Sequence, residues 1–189
     1  MQELIESIEK WFEQGKPVAL AMVVKVKDSA PRGVGAKMAI SQDGEMVGSV
    51  SAGCVEGAVV LEAQQVLKTG KAIVVNYGIS DEQAFSVGLS CGGTIEVLIR
   101  PFSPQDLVEV KKYLGSGRFF AQASILTGER CGDIATLFSE NDLMESLSLT
   151  GYKLPEGIDQ KRLFLDQQSK QFNLEKEDET VTVFFNIYP

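Results

Sequence analysis

The sequence predicts an α+β fold, built on a mixed β-sheet with flanking helices. Three observations indicate this class: an amphipathic helical pattern at the start of the chain, strand-length apolar runs in both halves, and a change from strand to helical period near residue 53. Domains commonly hold about 100–200 residues. We therefore predict a single domain over residues 1–189, with a motif-bearing half at about 17–102 and a strand-rich half at about 103–189.

The first elements follow from the spacing of apolar residues. A helix is predicted where five apolar side chains share one helical face, and Gly15 and Pro17 end it. These side chains are Leu4, Ile5, Ile8, Trp11 and Phe12. Strands are then predicted over 17–27, 36–41 and 45–50, and the Asp43-Gly44 pair forms the hairpin turn between the last two.

A second helix is predicted to begin at Gly53, as its N-cap, and to end at Gly70. Strands over 71–77 and 94–102, a helix over 104–114 and a strand over 118–126 follow, and the rest of the chain is expected to form short strands that end with 180–188. Residues 41–53 can also be aligned without gaps on residues 139–151, which leaves a degenerate internal repeat open.

Composition excludes several classes of function. A net charge of −8 argues against nucleic acid as a partner, because phosphate binding needs clustered Lys and Arg. The chain has no histidine, which excludes Ser-His-Asp catalysis and His-ligated zinc. No apolar run reaches the roughly 18–20 residues that span a bilayer. The amino terminus lacks a secretory pattern, so we expect a cytoplasmic protein without a membrane partner, whose cysteines are thiols.

One basic segment stands out in this acidic chain. Residues 25–37 carry three lysines and Arg32 against one acidic residue, whereas residues 139–180 hold ten acidic and five basic side chains. Arg32 lies within the stretch SAPRGVGAKM, residues 29–38, where a proline and glycines indicate a specifically shaped loop. A shaped loop that carries a guanidinium is a candidate anion site.

The stretch GSVSAGCVEG, residues 48–57, would place Cys54 first and Glu56 third in the predicted helix. The amino end of a helix lowers a thiol pKa and attracts anions, but a carboxylate in the same turn opposes the thiolate. Glu56 could therefore be a proton acceptor or a hydrogen-bond partner for a ligand. The alternative for Cys54 is a small buried side chain in the core.

The stretch GLSCGG, residues 88–93, places Cys91 among glycines at the start of a strand. Successive backbone N–H groups in such a segment can form an anion-binding nest, and the alternative is a plain turn. If one sheet brings the three glycine-rich segments together, the site would offer a guanidinium, several backbone N–H groups and two thiols.

These three stretches resemble the motifs of the xanthine dehydrogenase accessory protein (XdhC/CoxI) family, and they occur in that family's order. The likeness is strong over residues 17–102. It implies a maturation factor for a molybdenum hydroxylase of the xanthine or carbon monoxide dehydrogenase type. Such a factor binds the molybdenum cofactor (molybdopterin) as cargo and assists its sulfuration and insertion. The family often has glycine where this chain has Ala52.

The resemblance also assigns residues. It implies catalytic roles for Cys54, Glu56 and Cys91, with Cys54 reaching the molybdenum or its sulfur. It implies cofactor-binding positions in all three motifs: Ser29, Pro31, Arg32, Gly33, Gly35, Gly53, Cys54, Cys91, Gly92 and Gly93.

The implied partners are a molybdenum hydroxylase apoenzyme and a cysteine desulfurase. Many relatives continue into a Rossmann-like domain, so a separate Rossmann-domain partner is a further expectation, and homo-oligomerisation is open. An accessory protein is favoured over a stand-alone enzyme. Two other interpretations stay open: a cysteine-dependent sulfur carrier or sulfurtransferase, and a non-catalytic docking module.

Overall fold

The structure, a computed structural model, describes residues 1–78, 93–139 and 141–188. The chain divides into two compact units, Met1–Val108 and Glu109–Pro189. Within the described residues, no helix has the length and apolar character needed to cross a membrane.

The first unit contains a five-stranded sheet and helices that pack on it. Its helices are α1 (Gln2–Glu13), α2 (Glu56–Thr69) and α3 (Pro104–Leu114), and the boundary between the units falls within α3. Its strands are β1 (Val18–Lys27), β2 (Lys37–Ser41), β3 (Met46–Gly48), β4 (Ile73–Gly78) and β5 (Thr94–Phe102). The sheet order is β3-β2-β1-β5-β4, with every neighbouring pair antiparallel.

Two apolar clusters hold this unit together. One joins α2 to the sheet, through residues such as Val59 and Val66 of the helix and Val23 and Val97 of the strands. The other joins α1 to the sheet through Leu4, Ile8 and Trp11. The apolar face predicted for α1 is therefore the buried face, and burial of each large side chain stabilises the unit by about 1.5–3 kcal/mol.

The second unit has a four-stranded antiparallel sheet of order β7-β6-β9-β8. Its strands are β6 (Phe120–Ile125), β7 (Ile134–Leu137), β8 (Lys170–Lys176) and β9 (Glu179–Tyr188), and its short helices are α4 (Leu143–Ser146) and α5 (Gln160–Asp166). Leu174, Val183 and Phe185 lie in its separate core cluster.

The predicted α+β class is confirmed. The sheet was expected to be mixed, and this detail is wrong, because all described strand pairs in both sheets are antiparallel. The helices α4 and α5 were missed, since four and seven residues are too few for a clear helical period.

The alignment of residues 41–53 with 139–151 does not mark a structural repeat. The first segment contains the strand β3 and a loop, whereas the second contains α4. The side chain of Asp142 caps α4 by accepting a hydrogen bond from the backbone N–H of Glu145. The similarity is therefore one of sequence alone, because the two segments adopt different backbone conformations.

Candidate functional site

Strand pairing gathers the predicted motifs at one end of the first sheet. In the antiparallel pairs, Lys27 at the end of β1 lies opposite Thr94 at the start of β5, and Met38 near the start of β2 lies opposite Gly48 at the end of β3. Both pairs lie at the same end of the sheet, which we call the motif end. The loop after β1, the residue before β5 and the segment that leads into α2 all begin or end there.

The last glycine of GLSCGG packs directly on the SAPRG loop. A Cβ atom added at Gly93 would lie 2.2 Å from the carbonyl oxygen of Ser29 and 2.8 Å from that of Lys27. Both neighbours are backbone atoms, so this contact requires glycine. The third motif therefore meets the first through its closing residue.

Arg32 and Lys37 line one cleft of about 400 Å³ at the motif end, which we call the cation cleft. Its lining consists of Met1, Leu4, Arg32, Gly35, Ala36, Lys37, Gly48 and Ser49. Arg32 is exposed at its mouth, and Leu4 supplies a buried apolar wall. Two cationic side chains on one small concave surface favour a bound anion.

The side chain of Lys37 is half-buried in the lining of this cleft. It donates a hydrogen bond to the carbonyl oxygen of Gly35 at 2.9 Å, and burial lowers the pKa of the amine to about 8. Desolvation disfavours the charged form of a base, which explains the direction of the shift. Lys37 was noted in the basic segment but not as a site residue, because its sequence position does not reveal burial.

The carboxylate of Glu56 is surrounded by the loop that precedes it, residues 49–55, which we call the Glu56 loop. Glu56 is only 6% exposed. Its Oε1 accepts hydrogen bonds from Ser49 Oγ at 2.6 Å, Ser51 N at 2.9 Å and Val50 N at 3.2 Å. Its Oε2 accepts from Ser51 Oγ, from Gly53 N at 2.9 Å and from Val55 N at 3.3 Å.

These donors stabilise the ionised carboxylate. Burial alone would raise the pKa of Glu56, but the hydroxyls of Ser49 and Ser51 and the backbone N–H groups lower it to about 2. The carboxylate also lies at the amino end of α2, where the helix dipole favours negative charge. This geometry gives Glu56 a positioning role for the loop, and its catalytic role stays a prediction.

The helix α2 begins later than expected. Its first residue is Glu56 and its N-cap is Val55, so Gly53 is not the N-cap and Cys54 is not in the first helical turn. The reason is that the Glu56 side chain, rather than residue 53, satisfies the free backbone N–H groups before the helix. Sequence reasoning missed Ser49 and Ser51, for which the pattern of two serines before the acidic residue was the available signal.

The backbone conformation at Ala52 explains why glycine is often found at this position of the XdhC/CoxI motif. Its φ is 59°, in the left-handed region that favours glycine, and Gly53 follows with φ 108°. The Oγ of Ser49 accepts a hydrogen bond from the N–H of Ala52 at 2.8 Å, which supports this turn. The chain tolerates alanine here at an expected cost of about 1 kcal/mol relative to an unstrained residue.

Cys54 is half-buried within the Glu56 loop. Its side chain packs on the apolar cluster of α2 and the sheet, and Ala30 and Ala36 from the SAPRG segment pack on the same cluster. A half-buried side chain fits both interpretations of Cys54: a small side chain in the core and a thiol that faces a ligand.

The remaining predicted residues fall into three groups. Ser29, Arg32 and Gly33 are exposed in the loop after β1, and Pro31 is half-buried there. Gly35, with φ 86°, donates its N–H to the carbonyl oxygen of Val23 at 2.8 Å and so closes that loop. Cys91 and Gly92 lie outside the described residues. Among the side chains that the structure describes, no three of Cys, Asp or Glu gather into a metal-binding group.

Comparison with known proteins identifies the first part of the chain, which carries the SAPRG loop and the Glu56 loop. Residues 11–78 match the XdhC and CoxI family. We call residues 11–78 the XdhC/CoxI segment. The predicted resemblance is thereby confirmed for the XdhC/CoxI segment, which includes β1 to β4 and α2.

Two Escherichia coli (strain K12) proteins are similar to the chain. One, named molybdenum cofactor insertion chaperone PaoD, is 35% identical over 97 residues, or 51% of this chain and 30% of PaoD. The other, the uncharacterized protein YqeB, is 32% identical over 122 residues, or 63% of this chain and 22% of YqeB. The chain thus spans less than a third of the length of either relative.

A solved structure shares the fold over nearly the whole chain. A crystal structure from Bacillus halodurans, described as that of a xanthine dehydrogenase, superimposes with a TM-score of 0.67. The alignment covers 97% of this chain and 52% of that one at 24% identity. The shared fold therefore extends beyond the XdhC/CoxI segment, and the Bacillus halodurans chain is the longer of the two.

Proposed function

We propose that this chain is an accessory factor that binds molybdenum cofactor as cargo and takes part in the maturation of a molybdenum hydroxylase. The observations that carry the proposal are the match of residues 11–78 to the XdhC and CoxI family and the similarity of the chain to PaoD, a molybdenum cofactor insertion chaperone. The cation cleft supports it, because molybdopterin carries an anionic phosphate and the cleft presents Arg32 and Lys37.

The residues present fit the chemistry of the cofactor. Arg32 would hold its phosphate, since a guanidinium pairs with phosphate in a bidentate manner. Cys54 would approach the molybdenum or its sulfur, because thiolates are suitable ligands for soft metal centres. The Glu56 carboxylate would keep the loop that carries Cys54 in a fixed conformation. The cargo supplies the molybdenum centre on which the hydroxylase depends.

The proposed function also requires partner proteins. We propose that the acceptor is a hydroxylase apoenzyme of the xanthine or carbon monoxide dehydrogenase type and that a cysteine desulfurase supplies sulfur for sulfuration. A separate Rossmann-domain partner, a cytoplasmic location and self-association belong to the same proposal. On this view the protein holds and delivers a cofactor and is not a stand-alone enzyme.

An anaerobic titration with molybdenum cofactor tests the proposal. The wild type should retain pterin fluorescence through gel filtration in a saturable manner, and Arg32→Ala and Cys54→Ala should each lower the retention at least ten-fold. Matched controls are Arg162→Ala and Cys131→Ala in the second unit, where Arg162 pairs with Asp166 and Cys131 is the other cysteine that the structure describes. Both controls should retain the cofactor as the wild type does.

Absence of retention by the wild type would contradict the proposal. In that case, mass spectrometry after incubation with a desulfurase and cysteine would decide between the alternatives. A persulfide on Cys54 or Cys91 would indicate the sulfur carrier, and an unmodified protein would indicate the docking module.

A further inference from the structure

The amine of Lys37 lies in a position that the proposed function does not explain. It is held in the wall of the cation cleft by its hydrogen bond to the carbonyl oxygen of Gly35, beside Arg32 and Ser49. Partial burial of a lysine amine removes part of its hydration, and a bound anion can replace that hydration. A permanent guanidinium at the mouth and a titratable amine in the wall suit a ligand that carries two negative charges.

We propose that Lys37 and Arg32 together clamp the phosphate of a phosphomonoester, and that binding is coupled to protonation of Lys37. The inference rests on the proposed function in taking this phosphate as that of the cofactor, and it adds Lys37 as the residue that makes binding depend on pH.

The cleft distinguishes an ester from free phosphate. Leu4 and Met1 form an apolar part of its lining, next to the two cationic groups. An ester places its organic group against this wall while its phosphate meets Arg32 and Lys37. Inorganic phosphate offers no group for the apolar wall, so the ester should bind more tightly.

Among the side chains that line the cleft, that of Lys37 has a pKa of about 8. Arg32, in the loop after β1, supplies the other cationic side chain of the lining, and Glu56, with a pKa of about 2, reaches the cleft wall through Ser49 as a carboxylate. An α-amino group at Met1, at the start of α1, would titrate in the same range. The variant Lys37→Arg keeps a positive charge at this position but does not lose it near pH 8. It therefore separates the contribution of Lys37 to the pH dependence from that of Met1.

Linkage gives the expected size of the effect. With a pKa of about 8, the amine is largely protonated at pH 7 and largely neutral at pH 9. Phosphomonoesters have a second pKa near 6 and are therefore dianions at both values. The affinity of the wild type for phenyl phosphate should fall about ten-fold from pH 7 to pH 9.

The test is a titration of the full chain with phenyl phosphate, followed by the amide NMR signals of Gly35 and Ser49, in parallel with inorganic phosphate. Lys37→Met should lower the affinity at least ten-fold at pH 7. Lys37→Arg should keep binding and lose the difference between pH 7 and pH 9. Lys71→Met is the matched control, because this exposed lysine precedes β4, at the opposite edge of the sheet from β3.

A second measurement does not depend on the variants. The 13Cε signal of Lys37 should titrate near pH 8 in the free protein and at higher pH when phenyl phosphate is bound, because the anion stabilises the ammonium form. An unchanged midpoint, equal affinity of Lys37→Met and wild type, or a pH dependence that persists in Lys37→Arg would overturn the inference. Equal or tighter binding of inorganic phosphate would overturn the assignment to an ester.

Failure of this inference differs from failure of the proposed function. If the wild type and Lys37→Met retain molybdenum cofactor equally, the Lys37 clamp is wrong and the accessory function stands. If phenyl phosphate binding depends on Lys37 but the wild type retains no molybdenum cofactor, the clamp stands and the accessory function is wrong.

Discussion

At the scale of single residues, the Glu56 carboxylate shows how an acidic side chain organises a loop. Each of its oxygens accepts from a serine hydroxyl and from backbone N–H groups of residues 50–55. Hydrogen bonds to a charged acceptor are worth about 1.5–3 kcal/mol each in favourable settings. The neutral acid would lose much of this stabilisation, so the loop depends on ionisation of Glu56.

The first prediction concerns Glu56→Gln. The folded pKa of Glu56 is about 2 against an ordinary value of 4.5, so its stabilisation is present above pH 4.5 and is lost as the pH falls towards 2. The difference corresponds to about 3 kcal/mol. We expect Glu56→Gln to lower the free energy of unfolding by that amount at pH 7 and by little at pH 2.

Urea unfolding checks this prediction, followed by the fluorescence of Trp11, the chain's one tryptophan, which lies in the same unit. The control is Glu6→Gln on the exposed face of α1, which should change the free energy of unfolding by less than about 0.5 kcal/mol. A pH-independent difference between Glu56→Gln and wild type would show that ionisation of Glu56 does not stabilise the fold.

At the scale of secondary-structure elements, antiparallel pairing explains why distant motifs meet. The end of β1 and the start of β5 are adjacent because Lys27 pairs with Thr94, although 66 positions separate them in the sequence. The loop after β1 and the residue before β5 therefore share the motif end. Gly93 allows their backbones to touch.

The second prediction concerns Gly93→Ala. The new methyl group would overlap the carbonyl oxygens of Ser29 and Lys27, so the loop that carries Arg32 must move. We expect a loss of about 1–3 kcal/mol in the free energy of unfolding, as for other overpacked sites. Retention of molybdenum cofactor on gel filtration should fall at least ten-fold.

A second glycine in the same unit provides the control. Gly57→Ala in α2 adds a methyl group with no atom within 4 Å, and alanine is favoured in helices. This variant should be more stable by up to about 1 kcal/mol and should retain the cofactor as the wild type does. If Gly93→Ala behaved like Gly57→Ala, the close contact would have no role in the site.

At the scale of the whole molecule, the two units have separate cores. The cation cleft and the Glu56 loop belong to Met1–Val108, whose clusters share no residue with the core of Glu109–Pro189. The candidate site, as far as the structure describes it, is therefore built by the first unit. Stability of the second unit and ligand binding should respond to different substitutions.

The third prediction tests this separation with Leu174→Ala. Leu174 is fully buried in the second unit, and truncation of such a leucine costs about 2–5 kcal/mol. We expect the folded fraction of the variant to unfold at a lower urea concentration by circular dichroism and to retain molybdenum cofactor within two-fold of the wild type. A ten-fold loss of retention would show that the second unit contributes to the site.

Local pattern in the sequence determined much of the first unit. The spacing of apolar residues predicted α1 and its end before Gly15, and apolar runs predicted β1 and β5 within one residue. These elements are predictable because neighbouring residues set the period that distinguishes helix from strand. The motif stretches likewise predicted the resemblance to the XdhC and CoxI family, which residues 11–78 match, and they placed Arg32 and Cys54 among the candidate site residues.

Only the tertiary structure decided which of these residues are buried and which of them contact each other. Burial of Lys37 and the contact of Gly93 with Ser29 depend on strand register, which joins residues far apart in the sequence. The later start of α2 depends on where the Glu56 carboxylate finds its donors. The sequence determined which chemical groups the molecule carries, whereas long-range pairing decided which of them are buried, charged and adjacent, because those properties arise from neighbours that no local pattern specifies.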